Sequence, residues 1–217
     1  MIVSYERGFI FLKTRKTAGT SVEIALSRVC GDADVIAPIS PVDEELRARE
    51  GGRGPQNHEE PRRASSHMQA RAVRRLVGPP RWGSMVKLAV ERNPWDAVVS
   101  QYFWVMSHWE SRGLERIPFR EFVLGQPHPE RLAAKNAKTY RIGGEVVADR
   151  VLRYESLAED LARVWADLAL PGEPRLPHAK GGTRSDRRHY REIHDDATRD
   201  RVAELFAGMI TEFGYRF

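Results

Sequence analysis

Two stretches of this 217-residue chain carry residue types that hold anions. In "FIFLKTRKTAGTSVE" (Phe9 to Glu23) an apolar run stops at Lys13, Arg15 and Lys16, then passes into Thr17, Ala18, Gly19, Thr20 and Ser21. Backbone N–H groups from about Thr17 to Ser21 can turn toward an anion, Gly19 lets the chain approach closely, and a following helix adds its positive end. Lys16 brings a mobile ammonium, while Thr20 and Ser21 bring hydroxyl donors, so phosphate is the natural guest. Taken alone, the stretch also reads as an ordinary strand-to-helix turn with solvated Lys and Arg. In "RNPWDAVVSQYFWVM" (Arg92 to Met106), Arg92 precedes a helix opened by Asn93 and Pro94, and Ser100 lies further along that helix. Asn93 and Ser100 share a helix face, so Ser100 points toward the side of the helix start, where Arg92 reaches the same ligand. A guanidinium with a hydroxyl is a good donor pair for phosphate. Singly, Arg92 reads as a surface salt bridge and Ser100 as helix filler.

Two other phosphate-binding patterns fail. "GFIFLKT" (Gly8 to Thr14) has a Gly four residues before a Lys-Thr pair, but Leu12 stands where an NTPase P-loop needs its second Gly. Glu91 is the one acidic strand-end residue that could hold magnesium, and there is no GxGxxG fingerprint.

The elements that must position these residues follow from periodicity. "FIFL", "MVKLAVE" (Met85 to Glu91) and "RVLRY" (Arg150 to Tyr154) read as strands. Helices are expected from about Thr20 to a stop at Gly31, over "SHMQARAVRRLVG" to Gly78, from Asn93, over "PFREFVLG", over "SLAEDLARVWADLAL" with Ser156 and Glu159 as a capping box, and from Asp195 or Asp196 to Gly214. The last helix is expected to bury Val202, Leu205, Phe206, Met209, Ile210 and Phe213. Residues 31–65, rich in Pro, Gly and charge, read as a long loop, mobile and on the substrate side. Strands alternating with helices predict an α/β fold, a central parallel sheet with helices on both faces and ligands at the strands' carboxyl ends.

With 41% hydrophobic residues the chain can bury a sizeable core as one domain, residues 1–217. No stretch has the length of a signal peptide's apolar region or of a membrane span, which predicts a soluble, cytoplasmic protein. The single cysteine, Cys30, excludes an internal disulfide and reads as a buried, inert thiol. The net charge of +5 points to anionic partners. Neither a recognition helix nor base-stacking aromatics accompany it, which argues against nucleic acid.

"KTAGTS" (Lys16 to Ser21) after one strand and "RNPWDAVVSQY" (Arg92 to Tyr102) after another resemble the two phosphate-binding motifs of sulfotransferases that use 3′-phosphoadenosine 5′-phosphosulfate. The resemblance is to the carbohydrate-type branch and its bacterial relatives. It continues through "RVLRYESLAEDL" (Arg150 to Leu161) and "AELFAGMITEFGYRF", in order along most of the chain. It implies a three-layer, P-loop-NTPase-like fold and a single sulfotransferase domain. The donor would be 3′-phosphoadenosine 5′-phosphosulfate, with no metal required and an acceptor of small-molecule or carbohydrate type. Lys16 matches the lysine on the 5′-phosphosulfate. Arg15 stands beside it, Thr17, Ala18, Gly19, Thr20 and Ser21 match the 5′-phosphate loop, and Arg92 and Ser100 match the 3′-phosphate pair. Glu91 departs from the family, where an apolar residue usually precedes the arginine. In "HAKGGTRSDRRHYR" (His178 to Arg191), Lys180 and Arg184 match the C-terminal cofactor loop by position, and a solvated basic loop is the other reading.

Sulfuryl transfer needs in-line positioning and charge stabilisation, and the acceptor has to lose a proton. By the resemblance Lys16 stabilises the leaving group and His67, expected to open the helix between the two motifs, is the base. His58, Glu59 and Glu60 are alternatives, and His67 also reads as a surface residue at a helix start. A P-loop nucleotide kinase and a non-catalytic nucleotide or polyanion binder are the competing functions. "MSHWESRGLERIPF" (Met106 to Phe119) with Trp109 is a candidate substrate wall, unless those aromatics simply pack.

Overall fold

The computed structural model describes residues 1–60, 63–177, 179 and 184–217. Their elements run β1 (Ile2–Ser4), β2 (Phe9–Leu12), α1 (Gly19–Ser27), β3 (Val35–Ile36), α2 (Pro41–Arg49), α3 (Ala70–Val77), α4 (Pro79–Ser84) and β4 (Val86–Glu91). Then come α5 (Pro94–Glu110), α6 (Phe119–Gly125), α7 (His128–Tyr140), β5 (Arg141–Ile142), β6 (Glu145–Val146), β7 (Arg150–Arg153), α8 (Leu157–Asp167), α9 (Tyr190–Ile193), α10 (Asp196–Leu205) and α11 (Ala207–Phe213). The fold is mixed α/β, with the sheet flanked by helices. The chain divides into two compact units, Met1–Glu91 with Asn136–Ala179, and Arg92–Lys135 with Lys180–Phe217.

The first unit holds a five-stranded sheet in the order β3-β1-β2-β4-β7. Strands β2, β4 and β7 are parallel, as expected, and Leu12 pairs with Ala89 while Glu91 pairs with Arg153. Strands β1 and β3, which the sequence reading did not include, add an antiparallel edge to this parallel centre. The reason is length: β1 and β2 are joined by Tyr5 to Gly8, and a link this short can only reverse the chain. On one face Phe9, Phe11, Leu88, Val90 and Leu152 pack against Val22 and Leu26 of α1 and Leu161, Val164 and Trp165 of α8. Cys30 lies at the margin of that core with its Sγ 3.4 Å from the Leu26 carbonyl, and burial pushes its thiol pKa up, which keeps it inert.

The segment read as a long loop contains β3 and α2. Ser40 caps α2 through the Asp43 N–H, and Pro41 takes the first helical position. Low apolar content concealed this helix because its inward residues are Asp43 and Arg47. Arg47 is fully buried and meets Glu44 at 2.9 Å and Glu23 at 3.8 Å. Glu23, in α1, is buried as well and receives the Lys13 ammonium and the Met1 amino group, each at 2.5 Å. Burial alone would raise the Glu23 pKa, but the two ammonium groups outweigh it and hold the carboxyl ionised.

The second unit is helical. Asn93 accepts the Trp95 N–H at 3.1 Å and Pro94 begins α5, as expected. Trp95, Val98, Val99, Tyr102 and Met106 of α5 pack with Phe122, Val202 and Phe206. The terminal helix is two helices: α10, capped by Asp195 through the Thr198 N–H, breaks at Phe206 before α11. Val202 and Phe206 are buried, whereas Leu205, Met209, Ile210 and Phe213 are only partly covered. Gly214 closes α11 in the left-handed conformation at φ 64°. The expected Ser156–Glu159 capping box in the first unit does not form: a 3-10 turn, Tyr154–Ser156, leads into α8, and Asp160 accepts the Arg153 N–H at 2.7 Å.

Replacing Glu23 by Ala leaves Lys13 and Arg47 as buried cations without their shared carboxylate. Such a break costs about 3–5 kcal/mol, so chemical denaturation of Glu23→Ala should show a loss of that order, against less than about 1 kcal/mol for an exposed control such as Glu45→Ala.

Candidate functional site

Strand β2 ends where the chain must reverse into α1, and four side chains fix that reversal. Lys13 is pulled inward by Glu23. The Thr14 hydroxyl meets the Val90 carbonyl of β4 and lies 2.9 Å from the Thr17 hydroxyl. Asn136 of α7 grips Arg15 on both sides: its Oδ1 accepts the Arg15 N–H at 2.8 Å, and its Nδ2 donates to the Arg15 carbonyl at 3.0 Å. Beyond this grip Lys16 and Ala18 both lie in the left-handed region, at φ 64° and 58°. For residues with a Cβ that conformation costs about 1–2 kcal/mol each, and a fold keeps it only where neighbouring contacts impose it.

Left-handed residues either side of Thr17 are the backbone alternation from which an anion nest can be built. They lead into α1, whose first turn receives no side-chain hydrogen bond from Ala18 at its cap, leaving those N–H groups to a ligand or to water. Gly19 also has a steric reason within the fold. A Cβ there would lie 2.9 Å from Lys13 Cγ and 3.2 Å from the Thr14 carbonyl, so its smallness admits the turn back over Lys13. The Thr17 hydroxyl faces Thr14, and Ser21 Oγ accepts the Ala179 N–H at 3.3 Å. Thr20 is buried beside them, while Arg15 and Lys16 are half-buried, and burial lowers the Arg15 pKa.

His67 lies in the turn before α3, which begins at Ala70 with Gln69 at its cap, so it does not open the helix as expected. Its Nδ1 is 2.9 Å from the Lys13 carbonyl. A carbonyl can only accept, so Nδ1 carries the proton and Nε2 keeps a free lone pair. Burial, and then the charges of Arg15 and Lys13, push its pKa down to about 3, which keeps the ring neutral. Of the alternatives, Glu60 pairs with Arg63, both glutamates are exposed and His58 is half-buried.

In the second unit, Arg92 donates from Nε and Nη2 to Asp96 Oδ2 at 2.8 and 2.6 Å, and Arg184 Nη1 reaches Asp96 Oδ1 at 3.1 Å. Arg184 also donates to the Asp186 and Arg188 carbonyls. Arg92 is buried and Asp96 half-buried, so the pair differs from the surface salt bridge that was the other reading of Arg92. Arg92, Asp96 and Ser100 follow one another at four-residue spacing, and Ser100 is half-buried. Lys180 lies outside the described residues. Trp109 packs edge-on to His128, at 6.3 Å between ring centroids, so it is partly committed to the helical core.

Asn136 and Asp96 were missed by sequence reasoning. Asp96 left a signal, its spacing from Arg92. Asn136 left none, because its partner is backbone far away in the chain. Glu91, at the end of β4, is buried, and burial with the nearby Glu91 charge raises the Tyr140 pKa. Among the described residues no group of three or more His, Cys, Asp or Glu is placed to hold a metal ion, and no helix is long and apolar enough to cross a membrane.

No family model matches the chain. An uncharacterized protein of Archaeoglobus fulgidus is 31% identical over 106 residues, 49% of this chain and 86% of that protein. The chain belongs to that protein's family. Among solved structures, the crystal structure of a sulfotransferase from Alicyclobacillus acidocaldarius is similar over 97% of this chain and 96% of its own, with 17% identity and a TM-score of 0.44.

The His67 geometry predicts a pH dependence of stability. The unfolded chain binds a proton on this histidine near pH 6.5, and the folded chain only near 3, so unfolded molecules hold more protons in between. Stability therefore falls as pH drops through that window and is unaffected by His67 above it. Between about pH 7.5 and pH 5 the unfolding free energy of His67→Gln should fall less than that of the parent; equal losses would show that His67 titrates normally.

Proposed function

We propose that the protein is a sulfotransferase that moves a sulfuryl group from 3′-phosphoadenosine 5′-phosphosulfate to a hydroxyl or amine of an acceptor. The observation that carries this reading is the nest at Lys16 to Ala18 leading into the uncapped start of α1, with a lysine on its rim. Its donors fit a phosphate by number and chemistry: backbone N–H groups, an ammonium and a helix terminus.

The amides from Thr17 to Ser21 hold the 5′-phosphate in this reading. In the same reading Lys16, which is half-buried, lies against the bridging oxygen. As the acceptor oxygen or nitrogen attacks sulfur and the bond to the bridging oxygen breaks, charge grows on that oxygen, and Lys16 stabilises it. The acceptor's proton passes to Nε2 of His67, whose other nitrogen is occupied by the Lys13 carbonyl. A ring with a pKa near 3 is a poor base in the free protein. The donor's negative charge would offset Arg15 and Lys13, which lower it, so the basicity of His67 should rise on binding. Arg92 and Ser100 take the 3′-phosphate in the same reading. Arg92 directly follows β4, the parallel neighbour of β2, so both motifs leave adjacent strands. Asp96 already engages Arg92, and the guanidinium must serve the phosphate beside that carboxylate or exchange one for the other. No step needs a metal.

Titration calorimetry with 3′-phosphoadenosine 5′-phosphate should give binding that is indifferent to magnesium. Lys16→Ala should weaken it modestly and cut radiolabelled sulfate transfer by roughly two to three orders of magnitude. His67→Ala should abolish transfer and leave binding intact. Magnesium-dependent ATP binding with no affinity for the bisphosphate would instead support a kinase.

A further inference from the structure

We propose that Asn136 is a positioning residue for the anion loop: its carboxamide holds the Arg15 peptide groups so that Lys16 and Ala18 stay left-handed and the loop amides face the phosphate. The inference rests on reading that loop as the donor's 5′-phosphate site.

The geometry is specific. Asn136 uses one acceptor and one donor on the N–H and C=O of a single residue, at 2.8 and 3.0 Å, as a neighbouring strand would. The β2–β4 ladder runs as far as the Leu12–Ala89 pair, and three residues further on the carboxamide meets Arg15 as a strand would, where the chain gives way to the nest. Asn136 is only 4% exposed. Water could not easily replace it, and its loss would strand a partly buried N–H and C=O. The next residue is Lys16 at φ 64°, a conformation with a standing cost, so a relaxed Arg15 peptide would let the turn drift toward ordinary angles. The clamp is itself anchored: one helical turn further along α7, Tyr140 is buried near Glu91 at the end of β4. A helix held at that point presents Asn136 to the end of β2 with little freedom. The pairing also explains the residue type, since neither a carboxylate nor an aliphatic side chain supplies both a donor and an acceptor.

The test uses Asn136→Leu, which keeps the volume and removes both bonds, and Asn136→Asp, which keeps an acceptor for the Arg15 N–H. Affinity for 3′-phosphoadenosine 5′-phosphate is measured by calorimetry, melting temperature is followed in parallel, and amide hydrogen exchange over residues 15–20 is measured without ligand. Asn136→Leu should bind the bisphosphate roughly tenfold or more weakly and exchange faster over residues 15–20 than elsewhere, with Asn136→Asp intermediate. Affinity within about twofold of the parent in a folded Asn136→Leu would overturn the proposal, whatever its melting temperature. Should Asn136→Leu fail to fold, Asn136→Asp decides: weaker binding with faster local exchange supports the clamp, and parental values for both refute it. If the parent itself does not bind the bisphosphate, the functional reading fails, and the clamp stands or falls on exchange alone.

Discussion

A buried carboxylate, Glu23, determines how the chain leaves its second strand. Because it sits inside α1 and draws the Lys13 ammonium to 2.5 Å, the last side chain of the strand run is turned into the protein, not out toward a ligand. Gly19 then has to be a glycine, since the helix start passes over the Lys13 stem. The pair takes two charges out of water, which is expensive unless each is met, and the fold meets them with Arg47 and the Met1 amino group as well. That investment leaves Lys16 as the cation at the rim of the loop. Two lysines three residues apart therefore have different surroundings, Lys13 buried in the core and Lys16 half-buried in the loop.

Around this anchor the loop is held by polar contacts and by Ala18, which packs against the core. Thr14 reaches across to β4, Asn136 grips Arg15, and the left-handed angles at Lys16 and Ala18 are what those contacts leave possible. The backbone is shaped before any ligand arrives, so an anion entering it pays little to order the loop. His67 reports the same arrangement electrostatically. Its Nδ1 is tied to the Lys13 carbonyl, and its neutrality is enforced by burial and by the Arg15 and Lys13 cations.

Much of this was legible in the sequence, for identifiable reasons. The three parallel strands and the start of α5 follow from apolar runs and from Asn-Pro at a helix entry, signals that are local and strong. The burial of Lys13 against Glu23 was not legible, because no local pattern marks that pair. What escaped was non-local or of the wrong polarity. The inward face of α2 is Asp and Arg, so periodicity could not see it. The break between α10 and α11 leaves the apolar pattern unbroken, and only backbone angles at Phe206 mark it. Asn136 acts through the backbone of a distant residue, and Asp96 reads in sequence as an ordinary acidic residue of a helix's first turn. His67 stood close to its expected place, but in the turn before the helix, where its ring meets the Lys13 carbonyl.

The central claim is that the loop from Lys16 to Ser21 is shaped for the 5′-phosphate of a bisphosphorylated nucleoside. A crystal structure with 3′-phosphoadenosine 5′-phosphate tests it most directly. The account predicts the 5′-phosphate seated on the amides of Thr17 to Ser21, Lys16 against its open side, and Lys16 and Ala18 still left-handed. A 5′-phosphate bound elsewhere, or a loop that must rebuild its backbone to receive it, would contradict the account.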